Sequence, residues 1–557
     1  MQITFHKQPW FLALAFLASL GIVSLGKPLY IGSLAPVSAL CGFALFWYSL
    51  SALKNKKSYF FVALIWFAII SALELSWMTS TEWVGPLMLI VYLALALCLG
   101  LEFALLSLLF YRKETLAFSK ILAIAGLWAI LEWSRLFFLS GFPFNVIGTA
   151  LTYSRLSVQL AAVVGIYGLS FWVIFVNGCG YLALVKRKVR YFSLWLVVAL
   201  FPYGFGFVHE KYQKSHFTQE KQLSVLLIQT ALSPAQKEPV LDRYKEFIRP
   251  EEQWIRILSL VKKLRGQVDL VVLPEVALPF SAFEAFYTLD NVMQIWERHL
   301  GVREKDFFLP ILKKPLAQEI KTEEKSFWKV SNAFWVQALA NYLKTDIIIG
   351  LDDQDAQKKN YNAAFYFQPY KNLIRRYEKQ VLVPIVEYFP FDWCSKLAAE
   401  YGISGVFTPG KRARVFPGKA PMGVSICYEE TYGNLMRKSR LKGAELFVNI
   451  SNDAWFPLST LPQEHFELGR IRAVENGVPL IRSCNTGVTV AVDAFGDVIK
   501  KFSDSQKNSE ELFGGLFLQV PLNHYSTLYT IWGDIFIISI SFLSLLFYCL
   551  RRRKKLC

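Results

Sequence analysis

Three short segments carry side chains that together could perform acyl transfer. Glu275 follows the apolar run 270–273, Lys379 follows Tyr377-Glu378, and Cys427 follows the apolar run 423–426. Each lies at or just after the end of a strand-like run, so side chains from different strands can converge on one site. A carboxylate, an ammonium and a thiol can form a nucleophilic acyl-transfer site without a histidine.

The three groups have complementary chemistry. A thiol is a good nucleophile only as its thiolate, and a free cysteine, with a pKa of about 8.5, is mostly protonated at neutral pH. An ammonium beside Cys427 would favour the thiolate and then stabilise the oxyanion of a tetrahedral intermediate. A carboxylate such as that of Glu275 can accept and return the proton. Each motif alone has an ordinary structural reading, as a buried cysteine, a turn carboxylate or a surface lysine, but their joint order favours one shared site.

The composition is that of a membrane protein. The 557 residues are 54% hydrophobic and 18% charged, with a mean hydropathy of +0.34, which is too apolar for an ordinary soluble enzyme. A bilayer span needs about 18 or more apolar residues, and eight stretches come near or exceed that length: roughly 10–25, 29–53, 59–77, 84–111, 121–139, 156–185, 191–208 and 529–550. Glu132 and Arg135 fall three apart in one of them and are expected to pair.

The basic residues predict how these spans are oriented. One set of alternate span ends holds 16 Lys and Arg residues and the other holds 3, and the richer set marks the cytoplasm. We therefore predict a seven-helix membrane domain over residues 1–208, an extracytoplasmic catalytic domain over 209–528, and an eighth helix with a basic cytoplasmic tail over 529–557. An acyl-transfer site held against a bilayer suggests a lipid acyl donor.

The net charge of +17 does not indicate a nucleic-acid partner. Residues 209–528 contain 41 Lys and Arg against 37 Asp and Glu, so most of the positive excess lies in the membrane part. That part carries it at the ends of the spans, where basic residues set orientation. We predict no nucleic-acid binding.

Residues 209–528 alternate short β-rich runs with helical patterns, which predicts a layered α/β fold. The predicted strands are 223–229, 270–273, 346–350, 363–367, 422–426, 446–450, 480–483 and 489–492. Most of these runs are continuously apolar, so both faces of their sheets should be covered. Helices are predicted over 242–264 and 462–476. The segment 283–341 shows no strong period, and we interpret it as an insertion, part helical.

The cysteine content is less informative about function. Of eight, only Cys394, Cys427 and Cys484 lie in the outer domain, and an odd number leaves at least one unpaired within it. The sequence contains no CxxC motif and no Cys/His cluster with metal-ligand spacing, so we predict no metal site.

The ordered motifs 273–275, 377–379 and 426–429 resemble the nitrilase superfamily, whose core is a four-layer αββα sandwich. Further motifs are similar to the apolipoprotein N-acyltransferase family, and the resemblance covers nearly the whole chain. These further motifs lie at 140–144, 165–170, 382–384, 387–390, 449–456, 463–465, 470–475 and 482–487. The chain departs from the family pattern at Ile385-Val386, where the family usually has Phe-Gly.

The resemblance implies that Cys427 is the nucleophile, Glu275 the general base and Lys379 the oxyanion stabiliser. It also implies supporting or substrate-binding roles, and the matched residues are Glu387, Tyr388, Tyr428 and Glu429. The alternative for these four is structural, with a tyrosine closing a core and carboxylates pairing with Lys379 or a loop arginine. For Glu387 we favour a functional role, because a second carboxylate beside a lysine can orient it.

The implied reaction is ping-pong and is the last step of bacterial lipoprotein maturation. A glycerophospholipid donates a fatty acyl chain to the cysteine as a thioester, and the amino-terminal amine of a diacylglyceryl-cysteine apolipoprotein then accepts it. The resemblance implies no soluble cofactor, a location in the bacterial inner membrane, and a monomer. Two other hypotheses stay open: a membrane-tethered nitrilase-like amidohydrolase, and a non-catalytic scaffold on an inactive enzyme fold, against which the intact Glu275, Lys379 and Cys427 argue.

Overall fold

A computed structural model of the protein describes residues 9–111, 116–217, 221–262, 264–302, 309–323, 325–384, 386–389, 396, 407–503 and 512–553. The predictions that concern Ile385, Pro390 and Cys394 lie outside these residues. The chain divides into two compact units. The first comprises Met1–Thr218, Ser459–Gly477 and Tyr525–Cys557, and the second comprises Gln219–Leu458 and Val478–His524.

The first unit is helical, as predicted for the membrane domain. Within the described residues, six helical segments are long and apolar enough to cross a membrane: Gly32–Ala52, Lys56–Thr79, Leu87–Phe110, Ser157–Lys186, Val189–Ser215 and Asp534–Arg553. The other two predicted spans form the 17-residue helices Pro9–Leu25 and Phe118–Ser134. Each of the eight predicted stretches therefore coincides with a helix. The helix Leu461–Asn476 also belongs to this unit.

Glycines interrupt two of the predicted spans. Gly165 lies inside the helix Ala161–Lys186 with φ +65° and ψ −176°, a conformation that is essentially restricted to glycine. The break frees the backbone N–H of Ile166, which donates to Glu475 Oε1 at 2.9 Å. Gly533 separates the short helix Leu528–Trp532 from the helix that follows. Apolar length alone cannot reveal such breaks, because the distant partner that accepts the freed N–H is not part of the local pattern.

The expected pairing of Glu132 with Arg135 is wrong. Arg135 Nη2 instead lies 2.9 Å from Glu102 Oε2 on another helix. Glu132 Oε1 accepts from the indole N–H of Trp128 at 2.8 Å and from the backbone N–H of Ile147 at 3.0 Å. Buried carboxylates need several donors, and neighbouring segments supply them here, so residue spacing on one helix did not decide the partner.

The second unit contains two six-stranded sheets. In spatial order, the first sheet comprises Gly514–Pro521, Gln222–Gln229, Leu270–Val272, Asp346–Gln354, Asn360–Phe367 and Arg375–Glu378. The second comprises Val498–Lys501, Val490–Val492, Leu480–Cys484, Leu446–Ser451, Met422–Ile426 and Val415–Phe416. All eight predicted strands are present. The four that were not predicted lie at or near sheet edges: Arg375–Glu378, Val415–Phe416, Val498–Lys501 and Gly514–Pro521.

The layers are those of the predicted αββα sandwich. Side chains of both sheets, among them Val225, Ile348, Val424 and Ile450, form one buried cluster. The outer face of the first sheet packs against the helices Pro250–Val261 and Asn332–Leu343, whose Trp254 and Trp335 rings stack with centroids 4.9 Å apart. The helix Gly433–Leu441 covers the second sheet, where a Cβ on Gly423 would lie 2.8 Å from Ser439 Cβ.

Two predictions in this unit need correction. The segment 283–341 is more regular than its sequence suggested: it contains the helix Leu289–Leu300, and the helix Asn332–Leu343 begins within it. A three-stranded sheet also lies there, formed by Tyr287–Thr288, Ser326–Val330 and Ala317–Lys321. The predicted helix 242–264 begins only at Pro250 and follows a short 3₁₀ turn at Leu241–Glu246, because a residue preceding proline disfavours the helical conformation.

Replacing Gly165 with alanine should destabilise the helical unit. The alanine would have to adopt a glycine-only conformation, and its Cβ would lie 2.4 Å from the Tyr529 ring. We expect the free energy of unfolding to fall by about 1–3 kcal/mol, measured as the thermal unfolding midpoint of the full chain in detergent. Gly204→Ala is the matched control, since its Cβ would meet nothing within 4 Å. Equal midpoints for both variants would contradict the argument.

Candidate active site

The three predicted reactive residues are fixed by the strands that precede them. Leu273 N donates to Ile348 O at 2.8 Å and Gly350 N donates to Pro274 O at 3.1 Å, which holds the chain beside Glu275. Lys379 directly follows the strand Arg375–Glu378, and its backbone N–H donates to Asn362 O at 2.9 Å. Cys427 directly follows the strand Met422–Ile426. For Glu275 and Lys379, backbone pairing beyond the strand end therefore sets the position of the side chain.

Lys379 lies between two carboxylates. Its Nζ is 3.0 Å from Glu275 Oε1 and 2.8 Å from Glu387 Oε1. The three residues are 1%, 5% and 7% exposed, so water screens these pairs poorly. Glu387 Oε2 also accepts from Val383 N at 2.8 Å. The structure thus brings two of the predicted reactive residues into direct contact and adds Glu387 to them.

Asn362 completes this cluster and was not singled out from the sequence. Its Nδ2 donates to Glu275 Oε1 at 2.7 Å and to Glu387 Oε1 at 3.1 Å. One amide therefore holds both carboxylates toward the same ammonium. The sequence signal for Asn362 was a polar residue directly before the apolar run 363–367. If buried, such a residue must find a hydrogen-bonding partner.

Cys427 occupies a strained turn. Its φ is +51°, an uncommon conformation for a residue with a side chain. A 3₁₀ helix, Cys427–Thr431, begins at this point. Asn449 Nδ2 donates to Cys427 O at 3.2 Å and to Ser425 Oγ at 3.1 Å, which fixes the turn from the neighbouring strand. The residue as a whole is half-buried. Such a turn presents a side chain at the strand end where a substrate can reach it.

Glu429 braces the site rather than pairing with Lys379. Its Oε2 accepts from Ile426 N at 2.8 Å and from the Tyr377 hydroxyl at 2.8 Å. Its Oε1 accepts from the backbone N–H groups of Gln380 and Val381. One carboxylate thus ties the turn at Cys427 to the segment just after Lys379. Burial raises the pKa of Glu429 to about 7, against the opposing effect of these donors.

The two tyrosines lie in different environments. Tyr428 is buried, and its ring packs against Tyr432 with centroids 5.1 Å apart and planes at 78°. Tyr388 is half-buried, directly after Glu387 in the short bridged turn that pairs Pro384 with Tyr388. Burial raises the pKa of the Tyr428 hydroxyl, a hydrogen bond with Tyr432 opposes this, and Tyr388 adds to the rise. The two residues therefore lie close to each other, beside the Glu387 and Cys427 turns.

A second set of buried charges approaches Cys427 from neighbouring strands of its own sheet. A carboxylate oxygen of Asp453 lies within 4.8 Å of Cys427 Sγ. Arg482, which is fully buried, lies 3.2 Å from Asp453 Oδ2 and 2.7 Å from Glu430 Oε1. The guanidinium therefore compensates both carboxylates beside the thiol.

Two further charged residues lie behind Glu275. Lys237 is buried and its Nζ lies 3.4 Å from Glu275 O; burial lowers its pKa. Burial also raises the pKa of the Asp352 carboxyl to about 7, with Lys237 opposing the shift. Neither residue was predicted from the sequence: Lys237 ends the short helix Pro234–Lys237, and Asp352 lies within the strand Asp346–Gln354.

Comparison with known proteins now identifies the family. Residues 227–512 match the carbon-nitrogen hydrolase family, and residues 15–179 match the apolipoprotein N-acyltransferase N-terminal domain. The apolipoprotein N-acyltransferase of Chlamydia caviae is 33% identical over 551 residues and covers 96% of each chain. The chain belongs to the apolipoprotein N-acyltransferase family.

Other members of that family agree over most of their length. The enzyme of Chlamydia pneumoniae is 32% identical over 550 residues, covering 95% of each chain. The enzyme of Geobacter metallireducens is 29% identical over 496 residues, covering 83% of this chain and 78% of the relative. The resemblance drawn from the sequence motifs is therefore confirmed. The chain is an enzyme with a nitrilase-like domain and apolar helices typical of a membrane protein.

The electrostatics of the site place the proton on the sulfur in the resting enzyme. Burial raises the pKa of the Cys427 thiol well above its usual range; Glu275 and Asp453 raise it further, and Lys379 opposes them. Burial acts to lower the pKa of Lys379, but Glu275 and Glu387 outweigh it and raise the pKa. The ammonium therefore stays charged. Lys379 favours the thiolate, as expected, but burial, Glu275 and Asp453 act against it.

The pH dependence of Cys427 alkylation should reveal both influences. Glu275→Gln removes a negative charge, so the midpoint of the iodoacetamide reaction rate should move to lower pH. Lys379→Met removes the positive charge, so the midpoint should move to higher pH. Rates would be followed by peptide mass spectrometry on the full chain, with Cys427→Ala as the background. Identical midpoints in the wild type and both variants would contradict this electrostatic account.

Asn362 should act as a positioning residue for the two carboxylates. Loss of a hydrogen bond to a charged group costs about 1.5–3 kcal/mol, so Asn362→Ala should lower kcat about 10- to 100-fold and alter the pH profile of kcat. The measurement is acyl transfer at saturating phospholipid and lipopeptide. Asn360→Ala is the matched control, because Asn360 lies exposed on the same strand and its side chain contacts Gln354. Similar kcat values for the two variants would rule out this role.

Proposed function

We propose that this enzyme transfers a fatty acyl chain from a glycerophospholipid to the amino-terminal amine of a diacylglyceryl-cysteine apolipoprotein. In this proposal Cys427 is the nucleophile, Glu275 the general base and Lys379 the oxyanion stabiliser. Family membership supports the acyl-transfer reaction. The observation that carries the assignment of residues is the buried ammonium of Lys379, held by two carboxylates next to the strained turn that presents Cys427.

The first half-reaction forms a thioester. Glu275 takes the proton of the Cys427 thiol, and the thiolate attacks the carbonyl carbon of the donor ester. Lys379 stabilises the negative charge that develops on the carbonyl oxygen. The carbon–oxygen bond to the glycerol then breaks, and Glu275 returns its proton to the departing alkoxide. The products are an acyl-enzyme thioester and a lysophospholipid.

The second half-reaction releases the chain to the acceptor. The neutral amine of the apolipoprotein attacks the thioester carbonyl, and Glu275 accepts a proton from the attacking nitrogen. Collapse of the tetrahedral intermediate forms the amide and expels the Cys427 thiolate, which takes the proton back from Glu275. No net proton is gained or lost by the site over the cycle.

Glu387 has a distinct task in this scheme. Whenever Glu275 is protonated it no longer balances Lys379 fully, and a buried ammonium without a partner is costly. Glu387 Oε1, 2.8 Å from Lys379 Nζ, supplies that balance throughout the cycle. Glu429, Tyr428 and Tyr388 lie in the surrounding turns and would shape the acyl-binding pocket through them.

We also propose that the enzyme works as a monomer in the bacterial inner membrane, with the catalytic domain on the extracytoplasmic side. The six segments that are long and apolar enough to cross a membrane support a membrane location. The concentration of basic residues at alternate span ends supports the orientation. The phospholipid donor and the lipid-modified acceptor both reside in the membrane, so a catalytic domain on its extracytoplasmic side could reach both.

Incubation with phospholipid should acylate Cys427. Intact-protein mass spectrometry should show the mass of one fatty acyl chain, and adding a diacylglyceryl lipopeptide should remove it. Cys427→Ala should abolish the addition, while Cys98→Ala, which changes an exposed cysteine of a membrane helix, should not. Failure to acquire the acyl mass together with turnover of small amides would instead support a membrane-tethered amidohydrolase.

A further inference from the structure

A groove of about 380 Å³ on the catalytic unit is lined mainly by basic side chains. We call it the basic groove, and define it by Lys359, Lys411, Arg412 and Arg414, together with Tyr361 and Glu378. The basic residues come from a turn between two strands of the first sheet and from the segment that begins at residue 407. The proposed acyl-transfer chemistry uses none of these residues.

The basic groove carries a net positive charge, with Asp355 beside Lys359 offsetting part of it; Asp355 also accepts from the Tyr361 hydroxyl at 3.1 Å. The one carboxylate that lines the groove, Glu378, already pairs with Arg376, which also pairs with Asp353 and lies over the Tyr361 ring at 5.2 Å. Within the part of the chain that the structure describes, the four lining cations form no ion pair with a carboxylate. Four clustered like charges repel one another, so an anion would stabilise the arrangement.

The groove is held in shape by the backbone. Thr408 N donates to Asn360 O and Gly410 N donates to Lys379 O, both at 2.7 Å. A Cβ on Gly410 would lie 2.3 Å from Glu378 O, so only glycine allows this close approach. The segment that carries Lys411, Arg412 and Arg414 is thus fixed to the strand edge, and a ligand would lose little binding energy in ordering it.

The basic groove and the acyl-transfer site lie on opposite faces of one strand. Successive side chains of a strand point to opposite faces. Tyr377 is buried in the core between the two sheets, and Lys379, two residues further on, reaches Glu275 and Glu387. Glu378 lies between them in sequence and lines the groove on the other face. A ligand in the groove would therefore not occupy the donor ester's place beside Cys427.

We propose that the basic groove binds the phosphate of an anionic glycerophospholipid headgroup, as a lipid site separate from that of the acyl donor. Arginine and lysine are the residues best suited to phosphate oxygens. The cavity exceeds the volume of a phosphate alone and leaves room for a small polar headgroup. The catalytic unit is joined at both ends to apolar helices, so lipid phosphates are the anions most available to it. This inference does not depend on the thioester chemistry.

The test is lipid retention by the full chain in nanodiscs of phosphatidylcholine with or without phosphatidylglycerol. The Cys427→Ala background prevents acyl transfer from consuming the lipid. Native mass spectrometry would count the phosphatidylglycerol molecules that stay bound after release from the disc. Lys411→Gln/Arg412→Gln/Arg414→Gln should lose one such lipid, with apparent affinity about tenfold weaker, since three exposed charge contacts are removed together.

The matched control is Arg256→Gln/Lys262→Gln/Lys371→Gln, which removes the same charge from exposed positions outside the groove. This control variant should retain as much phosphatidylglycerol as the protein with an unsubstituted groove. Equal retention by the two triple variants would overturn the proposal. Thermal unfolding midpoints would show that both variants are folded, which the exposure of all six side chains leads us to expect.

A second measurement needs no variant of the groove. The amine-labelling rate of Lys411 and Lys359 should fall in phosphatidylglycerol discs relative to phosphatidylcholine discs, while that of Lys371 stays unchanged. If inorganic phosphate protects these lysines but phosphatidylglycerol does not, the groove takes a free anion and the lipid assignment is wrong. Protection by a glutamate-rich peptide without protection by the lipid would likewise overturn it in favour of a peptide partner.

Discussion

A buried ammonium that must stay charged sets the arrangement of this active site. Lys379 is 1% exposed and cannot be hydrated, so its charge is tolerable only with close counter-charges. Glu275 and Glu387 supply them, and Asn362 holds both carboxylates in place. Glu275, Glu387 and Asn362 lie on different strands and turns. Any movement of one element would leave a charge uncompensated, which fixes the elements relative to one another.

The strain at Cys427 is maintained by contacts on both sides of the turn. Asn449 holds its carbonyl from the neighbouring strand, and Glu429 holds Ile426 N just before it. Glu429 also binds the Tyr377 hydroxyl and the backbone after Lys379. The same carboxylate therefore positions the nucleophile's turn and the ammonium's strand end. Glu429 thus holds the Cys427 turn in place without contacting the reacting atoms, which gives a physical reason for a glutamate two residues after the cysteine.

The sequence predicted elements with continuous apolar runs and missed those whose pattern depends on distant partners. The runs ending at Leu273 and Ile426 marked the strand ends where reactive residues lie. The strand Gly514–Pro521 was missed because the exposed Phe517 hides its alternation of buried and exposed residues, and Arg375–Glu378 because it is short and charged. Asn362 was missed because its role follows from two carboxylates on other segments. The break at Gly165 depends likewise on Glu475, about 300 residues away in sequence.

The hydrogen bonds around Glu275 also specify which of its oxygens can act as the base. Oε1 already accepts from Lys379 Nζ and Asn362 Nδ2. A proton on that oxygen would oppose two donors, whereas Oε2 accepts from neither. In the proposed reaction the thiol proton would therefore go to Oε2, and protonation there would leave both contacts of Oε1 intact. Since the proton only moves between Cys427 and Glu275 in that reaction, the net charge around Lys379, Glu275, Glu387 and Cys427 is the same for the resting thiol, the thiolate and the oxyanion. A buried site that moves a proton internally without changing its total charge avoids the solvation cost that would otherwise add to the barrier.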